Sequence, residues 1–154
     1  MQSNRYDQMG GEKLTRVNAK GSFTAYRFMG RCDDVGKNKP GQELLATNIV
    51  ICLHGFPDNI DTFQHQIPLL VAAGYQVVVP VMRGYEPGSV QPGQQYFLHQ
   101  IAQDIVDWMD ELSISQAHIV GHDWGALTAW VIDRKSVVKR RYCNACQRRY
   151  TIRC

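Results

Sequence analysis

The pentapeptide Gly121-His122-Asp123-Trp124-Gly125 sets an acid between two glycines. A short apolar run, Ala117 to Val120, precedes it, and Ala126 to Ile132, which fit about two helical turns, follow. In a tight strand-to-helix turn of the G-x-nucleophile-x-G type, the central side chain is held out at the C-terminal edge of a sheet. The flanking glycines let strand and helix approach closely. The helix N-terminus favours negative charge on the central residue and turns free N–H groups toward it. With an ordinary pKa of about 3.9, Asp123 is a carboxylate at neutral pH and can attack carbon without a base to take its proton. The plainer assignment for an Asp in this place is a helix N-cap.

A second turn shifts the balance toward chemistry. His54-Gly55-Phe56-Pro57-Asp58 follows the apolar run Asn48 to Leu53, whose strand is expected to lie beside the one that ends at Gly121. A backbone N–H from that turn, together with the N–H of Trp124, would form an oxyanion hole.

The elements that must carry these turns alternate. Thr15 to Gly30 reads as two short strands around Gly21. Asn48 to Leu53, Tyr75 to Met82 and Ala117 to Val120 are continuous apolar runs of the kind that a parallel sheet buries on both faces. Between the first two of these, Asp61 is expected to cap a helix bearing Phe63, Ile67, Leu70 and Val71. That helix would be kinked at Pro68 and stopped at Gly74. From Tyr96 to Leu112, the residues Leu98, Ile101, Ile105, Trp108 and Leu112 recur at spacings of three and four, the clearest helical face in the chain. Residues 31–47 and 84–93 read as loops. Strands alternating with helices build an α/β protein with a mostly parallel sheet flanked by helices.

His54-Gly55-Phe56-Pro57, Arg83-Gly84-Tyr85 with Ser89 shortly after, and Gly121-His122-Asp123-Trp124-Gly125-Ala126, in this order, resemble the soluble epoxide hydrolases of the α/β-hydrolase superfamily. The resemblance covers roughly residues 15–132. It implies a hydrolase in which an Asp attacks an epoxide carbon to give an alkyl-enzyme ester that water then cleaves. No metal or organic cofactor is implied, and the substrate would be an apolar epoxide. Carried onto this chain, Asp123 is the nucleophile and the backbone N–H groups of Phe56 and Trp124 form the oxyanion hole. His54, Gly55, Pro57, Gly121, His122 and Gly125 are structural members of the two motifs. Haloalkane dehalogenases share the Asp and the Trp after it, but Phe56 offers no side-chain hydrogen to a halide. A serine esterase would need Ser at the centre of a turn.

The chain departs from this pattern in three places. Val81 stands where the family usually has Asp, and Tyr85 is followed by Glu86-Pro87-Gly88. All five histidines, at 54, 65, 99, 118 and 122, precede Asp123, whereas the resemblance places the general base and its acid on later strands, beyond a lid. The expected architecture is therefore an incomplete α/β-hydrolase fold lacking lid and last strands, truncated and inactive or half-active. Its open sheet edge is expected to make it aggregation-prone.

Composition divides the chain at the same point. Residues 1–132 carry 9 Lys and Arg against 13 Asp and Glu, and residues 133–154 carry 8 against one. The first part reads as the partial hydrolase core, the second as a basic, disordered or aberrant tail. Cys143, Cys146 and Cys154 lack the fourth ligand of a structural zinc site, and a short basic tail argues weakly for nucleic acid. A non-catalytic interaction module is the alternative of another class. The odd cysteine count and the absence of an apolar leader or an 18-residue apolar span lead to the expectation of a cytoplasmic, non-membrane protein. Cys52, inside an apolar run, reads as a buried small hydrophobe.

Overall fold

A computed structural model of the chain describes residues 9–18, 21–29, 48–90, 92–93 and 95–142. The loop expected at 31–47 and the cysteines at 143, 146 and 154 lie outside the described residues. Ten elements follow one another. Strands β1 (Glu12–Asn18) and β2 (Gly21–Phe28) form a hairpin, and β3 (Ile49–Leu53) leads to a 3-10 turn (Ile60–Phe63) and helix α1 (Gln66–Ala72). After β4 (Gln76–Pro80) come a second 3-10 turn (Pro87–Ser89), helix α2 (Leu98–Glu111), β5 (His118–Gly121) and helix α3 (Trp124–Tyr142).

The sheet order is β1-β2-β4-β3-β5. β3 pairs in parallel with β4 on one side and β5 on the other, while β2 pairs antiparallel with both β1 and β4. Only β2 runs against the common direction, so the C-terminal ends of β3, β4 and β5 meet at one edge, where the loops that follow them converge. Leu53 pairs with Gly121, which sets the two expected turns next to each other.

Period-2 alternation divides each apolar strand between two cores. Ile51, Leu53 and Val78 face α2 and α3, packing with Phe23, Ile101, Ile105, Trp108, Met109 and Ile132. Val50, Cys52, Val77 and Val79 face α1, packing with Tyr26, Phe28, Phe63 and Ile67. Burial on both faces is why these runs show no polar alternation. Cys52 is fully buried in the second core, and burial pushes its thiol pKa up to about 12, so it behaves as a small hydrophobe. No helix among the described residues is long and apolar enough to cross a membrane.

Two expectations need correcting. The helix after β3 is not one element capped by Asp61 and kinked at Pro68. The Asn59 side chain caps a separate 3-10 turn by accepting the Asp61 N–H at 2.7 Å, and α1 starts afresh at Gln66. Pro68 then falls in the first turn of α1, where a missing N–H costs no helical hydrogen bond. The second correction concerns the helix after Asp123, expected over Ala126 to Ile132, which runs from Trp124 to Tyr142.

Helix α2 is fastened by charge as well as by apolar contact. Asp104 lies on its buried face, 3% exposed, and takes a two-pronged grip from Arg83, with Nε donating to Oδ2 at 2.7 Å and the second guanidinium nitrogen donating to Oδ1. One turn along, Asp107 accepts from Arg16 of β1 at 3.0 Å. Both arginines lie over the ring of Phe23, at 5.0 Å for Arg16 and 5.2 Å for Arg83. A buried pair adds little net stability over an apolar replacement, but removing one partner strands the other charge. Asp104→Ala is therefore expected to cost about 3–5 kcal/mol, read as a lower midpoint in urea unfolding followed by circular dichroism. A loss under about 1 kcal/mol would show that Arg83 finds another partner.

Candidate active site

The turn from β5 into α3 is shaped by what cannot fit there. A Cβ on Gly121 would lie 2.5 Å from the carbonyl carbon of Gly125, and one on Gly125 would overlap the carbonyl oxygen of Leu53. Both positions are therefore closed to any side chain. The His122 N–H donates to that same Leu53 oxygen at 3.0 Å, which binds the turn to the end of β3. Asp123, at the crest, has φ +53°, a left-handed conformation that Asp tolerates better than most residues, and its side chain is exposed.

Helix capping does not account for Asp123. An N-cap residue has extended backbone and uses its side chain on the N–H of the second or third helical residue. Here the N–H groups of Gly125 and Ala126 donate to the backbone oxygens of His122 and Asp123, at 2.9 and 3.0 Å. The carboxylate instead accepts from the Phe56 N–H, 67 residues away in sequence, at 2.9 Å to Oδ1, and from the Trp124 N–H beside it. These two amides hold the carboxyl below its usual pKa of 3.8, Phe56 contributing most, Trp124 next, with the neighbouring His122 adding a smaller pull. Asp123 is thus an ionised, solvent-facing carboxylate with two backbone donors converging on it.

The loop after β3 is shaped to make this approach. A Cβ on Gly55 would come within 2.5 Å of the Asp123 Cβ, so only glycine lets Phe56 reach the carboxylate. A cis peptide bond joins Phe56 to Pro57. His54 is 1% exposed and turned away from solvent: its Nε2 accepts the Met82 N–H at 3.0 Å, and Nδ1 lies 3.2 Å from the Gly55 oxygen. Because Nε2 accepts, the proton sits on Nδ1. Burial lowers the His54 pKa, against smaller upward pulls from the Gly55 carbonyl and Asp58, so the ring is neutral at neutral pH. It bridges two loops and has no hydrogen left to exchange with a substrate. His122 points elsewhere, its Nδ1 3.3 Å from Asp58 Oδ2 in an exposed pair.

The loop after β4 completes the frame. The Tyr85 hydroxyl donates to the Gly55 oxygen at 2.9 Å, and its ring stands edge-on to His54 at 4.6 Å. Buried Ser89 closes the loop, accepting the Gly84 N–H and donating to the Glu86 oxygen, both at 2.9 Å. Sequence reasoning singled out Arg83, Tyr85 and Ser89 as a motif but assigned them no contacts. It missed Asp104 altogether, although an acid three residues after Ile101 on an otherwise apolar stripe was a visible signal.

Phe56 and Trp124, which supply the two donors, are themselves exposed aromatic residues, 69% and 41% exposed. A cavity of about 310 Å³ shares His54 and Tyr85 with this frame and is otherwise lined by Lys13, Tyr26, Asn59 and Asp61 among others; Asp123 is not in its wall. Among the described residues no group of His, Cys, Asp and Glu is placed to hold a metal ion.

Comparison with known proteins gives a consistent result. A family model described as the alpha/beta hydrolase fold matches residues 48–132. Over 84 residues the chain is 43% identical to epoxide hydrolase A of Mycobacterium tuberculosis, a match that covers 53% of this chain and 26% of that protein. It is 37% identical over 98 residues to bifunctional epoxide hydrolase 2 of Sus scrofa, covering 60% of this chain and 18% of the relative. The chain therefore matches about a quarter or less of the length of these relatives. The crystal structure of epoxide hydrolase A from Mycobacterium thermoresistibile superposes with a TM-score of 0.63 at 27% identity, over 80% of this chain and 34% of that one.

The state of His54 sets a pH dependence. Its folded pKa is depressed, so below about pH 6.5, the value for a free imidazole, the unfolded chain takes up a proton that the folded chain resists. Stability is therefore expected to fall as the pH drops from 7 toward 5. In His54→Gln, which keeps an acceptor for the Met82 N–H, the thermal midpoint should vary less over this range. An equal slope in both proteins would assign the loss to other groups.

Proposed function

We propose that this chain, which belongs to the α/β hydrolase fold family, carries the nucleophilic centre of an epoxide hydrolase, with Asp123 as the attacking group. The observation that carries this is the carboxylate of Asp123 standing at the crest of a left-handed turn with the Phe56 and Trp124 N–H groups upon it. A carboxylate held ionised by backbone amides needs no base to become a nucleophile. The relatives named above as epoxide hydrolases supply the substrate class, and the exposed aromatic residues Phe56 and Trp124 suit an apolar epoxide.

Oδ2, the carboxylate oxygen that does not take the Phe56 N–H, attacks a ring carbon of the epoxide. A new C–O bond forms, the strained ring C–O bond breaks, and the alkoxide so released takes a proton from solvent water. The product is an ester between Asp123 and the opened substrate. Water then adds to the ester carbonyl carbon, and negative charge gathers on the oxygen that faces the Phe56 and Trp124 N–H groups. Donors already in place for the carboxylate need no reorganisation to receive that oxyanion. Collapse expels the diol and restores Asp123. Across both steps one epoxide and one water give one diol.

The second step calls for a base to activate the water. All five histidines of the chain precede Asp123. His54 is committed to Met82 and Gly55, and His122 lies against Asp58. We infer that the chain as it stands forms the ester faster than it cleaves it. Residues 1–132 act as the partial hydrolase core.

Incubation with styrene oxide should leave a covalent adduct of the epoxide's mass, located on Asp123 by peptide mapping and persistent after the reagent is removed. In Asp123→Asn its formation should fall by at least about 1000-fold. An adduct that maps elsewhere, or that survives the substitution, rejects Asp123 as the nucleophile, and steady diol production would reveal a base outside the residues named here.

A further inference from the structure

The peptide unit between Gly55 and Phe56 is held at both ends. Its N–H donates to Asp123 Oδ1 at 2.9 Å, and its carbonyl oxygen accepts from the Tyr85 hydroxyl at 2.9 Å and faces His54 Nδ1 at 3.2 Å. A trans peptide is planar, with its C=O and N–H pointing in opposite directions, so fixing one end aims the other. We propose that Tyr85 is a positioning residue for the hydrolase: by holding the Gly55 carbonyl, its hydroxyl keeps the Phe56 N–H directed at the Asp123 oxygen that becomes the oxyanion. This rests on the assignment of Asp123 as nucleophile.

Three features of the structure equip Tyr85 for the task. The first is a rigid base: the Tyr85 N–H donates to the Met82 oxygen at 3.1 Å, and Ser89 ties Gly84 to Glu86. Two residues before Tyr85, Arg83 is clamped to Asp104 of α2. The second is that the phenol stays a donor, since partial burial and then the charges of Asp123 and Asp58 raise its pKa above the usual 10. The third is polarisation, because a donor on a carbonyl strengthens the N–H of the same peptide unit as a donor in turn. His54 grips the same oxygen, but at the longer distance and from the adjacent residue, so it leaves the peptide plane free to tip about the chain direction. Tyr85 comes from another loop and closes that freedom.

The test uses the whole chain with Tyr85→Phe, which keeps the ring packed against His54 and removes only the hydroxyl. Two readouts are taken: the change in the Phe56 amide proton chemical shift as Asp123 ionises, and the rate at which hydroxylamine cleaves the preformed styrene oxide ester, a step that passes through the oxyanion. The amide shift change is expected to fall to less than about half and the rate to drop about tenfold, less than the roughly 100-fold or more for deleting an oxyanion donor outright, with the thermal midpoint lowered by only a few degrees. A second protein with 3-fluorotyrosine at position 85, whose more acidic phenol is a stronger donor, should move the amide shift the other way and guards against a variant that fails to fold. A folded Tyr85→Phe protein with unchanged amide shift and unchanged rate overturns the proposal. If the unaltered chain forms no adduct, the nucleophile assignment fails, while the amide titration still decides the role of Tyr85.

Discussion

One contact organises this molecule: the Phe56 N–H meeting the carboxylate of Asp123 across the C-terminal ends of two parallel strands. For it to form, β3 and β5 must be neighbours in register, Gly55 must carry no side chain, and the backbone at Asp123 must turn left-handed. Each requirement costs stability or excludes other residues. A left-handed non-glycine residue costs on the order of 1–3 kcal/mol and persists only where its surroundings leave no alternative. The surroundings here are the helix start, the Leu53 oxygen that binds His122, and two glycines pressed so closely that no Cβ fits. The strain is placed where it turns a carboxylate outward, and the amides that receive it keep it charged.

Behind that contact stands a hierarchy of supports of decreasing generality. The hydrophobic cores on the two faces of the sheet place strand ends to within the tolerance of close packing. The Arg83–Asp104 pair then fixes the loop after β4 to α2 through a planar fork, which defines direction as well as distance. From that loop, Met82 and Tyr85 reach the loop after β3 at two points, one through His54 and one through the Gly55 oxygen. Three loops that follow three adjacent strands thus become one rigid frame. It is a frame for an anion, since each of its final donors is a backbone N–H aimed at Asp123.

Much of the fold was legible because burial on both faces leaves an unbroken apolar run. Asn48 to Leu53, Tyr75 to Met82 and the stripe from Leu98 to Leu112 could each be placed to within a few residues on that basis alone. The turn at Asp123 was legible because the glycines on either side of it have no other common reason to be there. What remained hidden were partnerships that cross sequence. Nothing in the spacing of Asp104 names Arg83, 21 residues earlier, as its partner, and nothing in Tyr85 names the Gly55 oxygen. Asn59 displaced Asp61 as the cap for a local reason: its side chain reaches the N–H two residues on, which favours a short 3-10 turn and lets α1 begin where Pro68 does no harm. The helix after Asp123 was read as ending near Ile132 because apolar periodicity stops there, yet helical backbone continues to Tyr142.

The central claim is electrostatic, and it is measured most directly by following the Asp123 carboxyl carbon by NMR through an acid titration of the intact chain. The account predicts a midpoint below 3.8, because the Phe56 and Trp124 amides bind the ionised form. A midpoint at or above that value would show a carboxyl without those donors, and with them would go the case for Asp123 as a poised nucleophile.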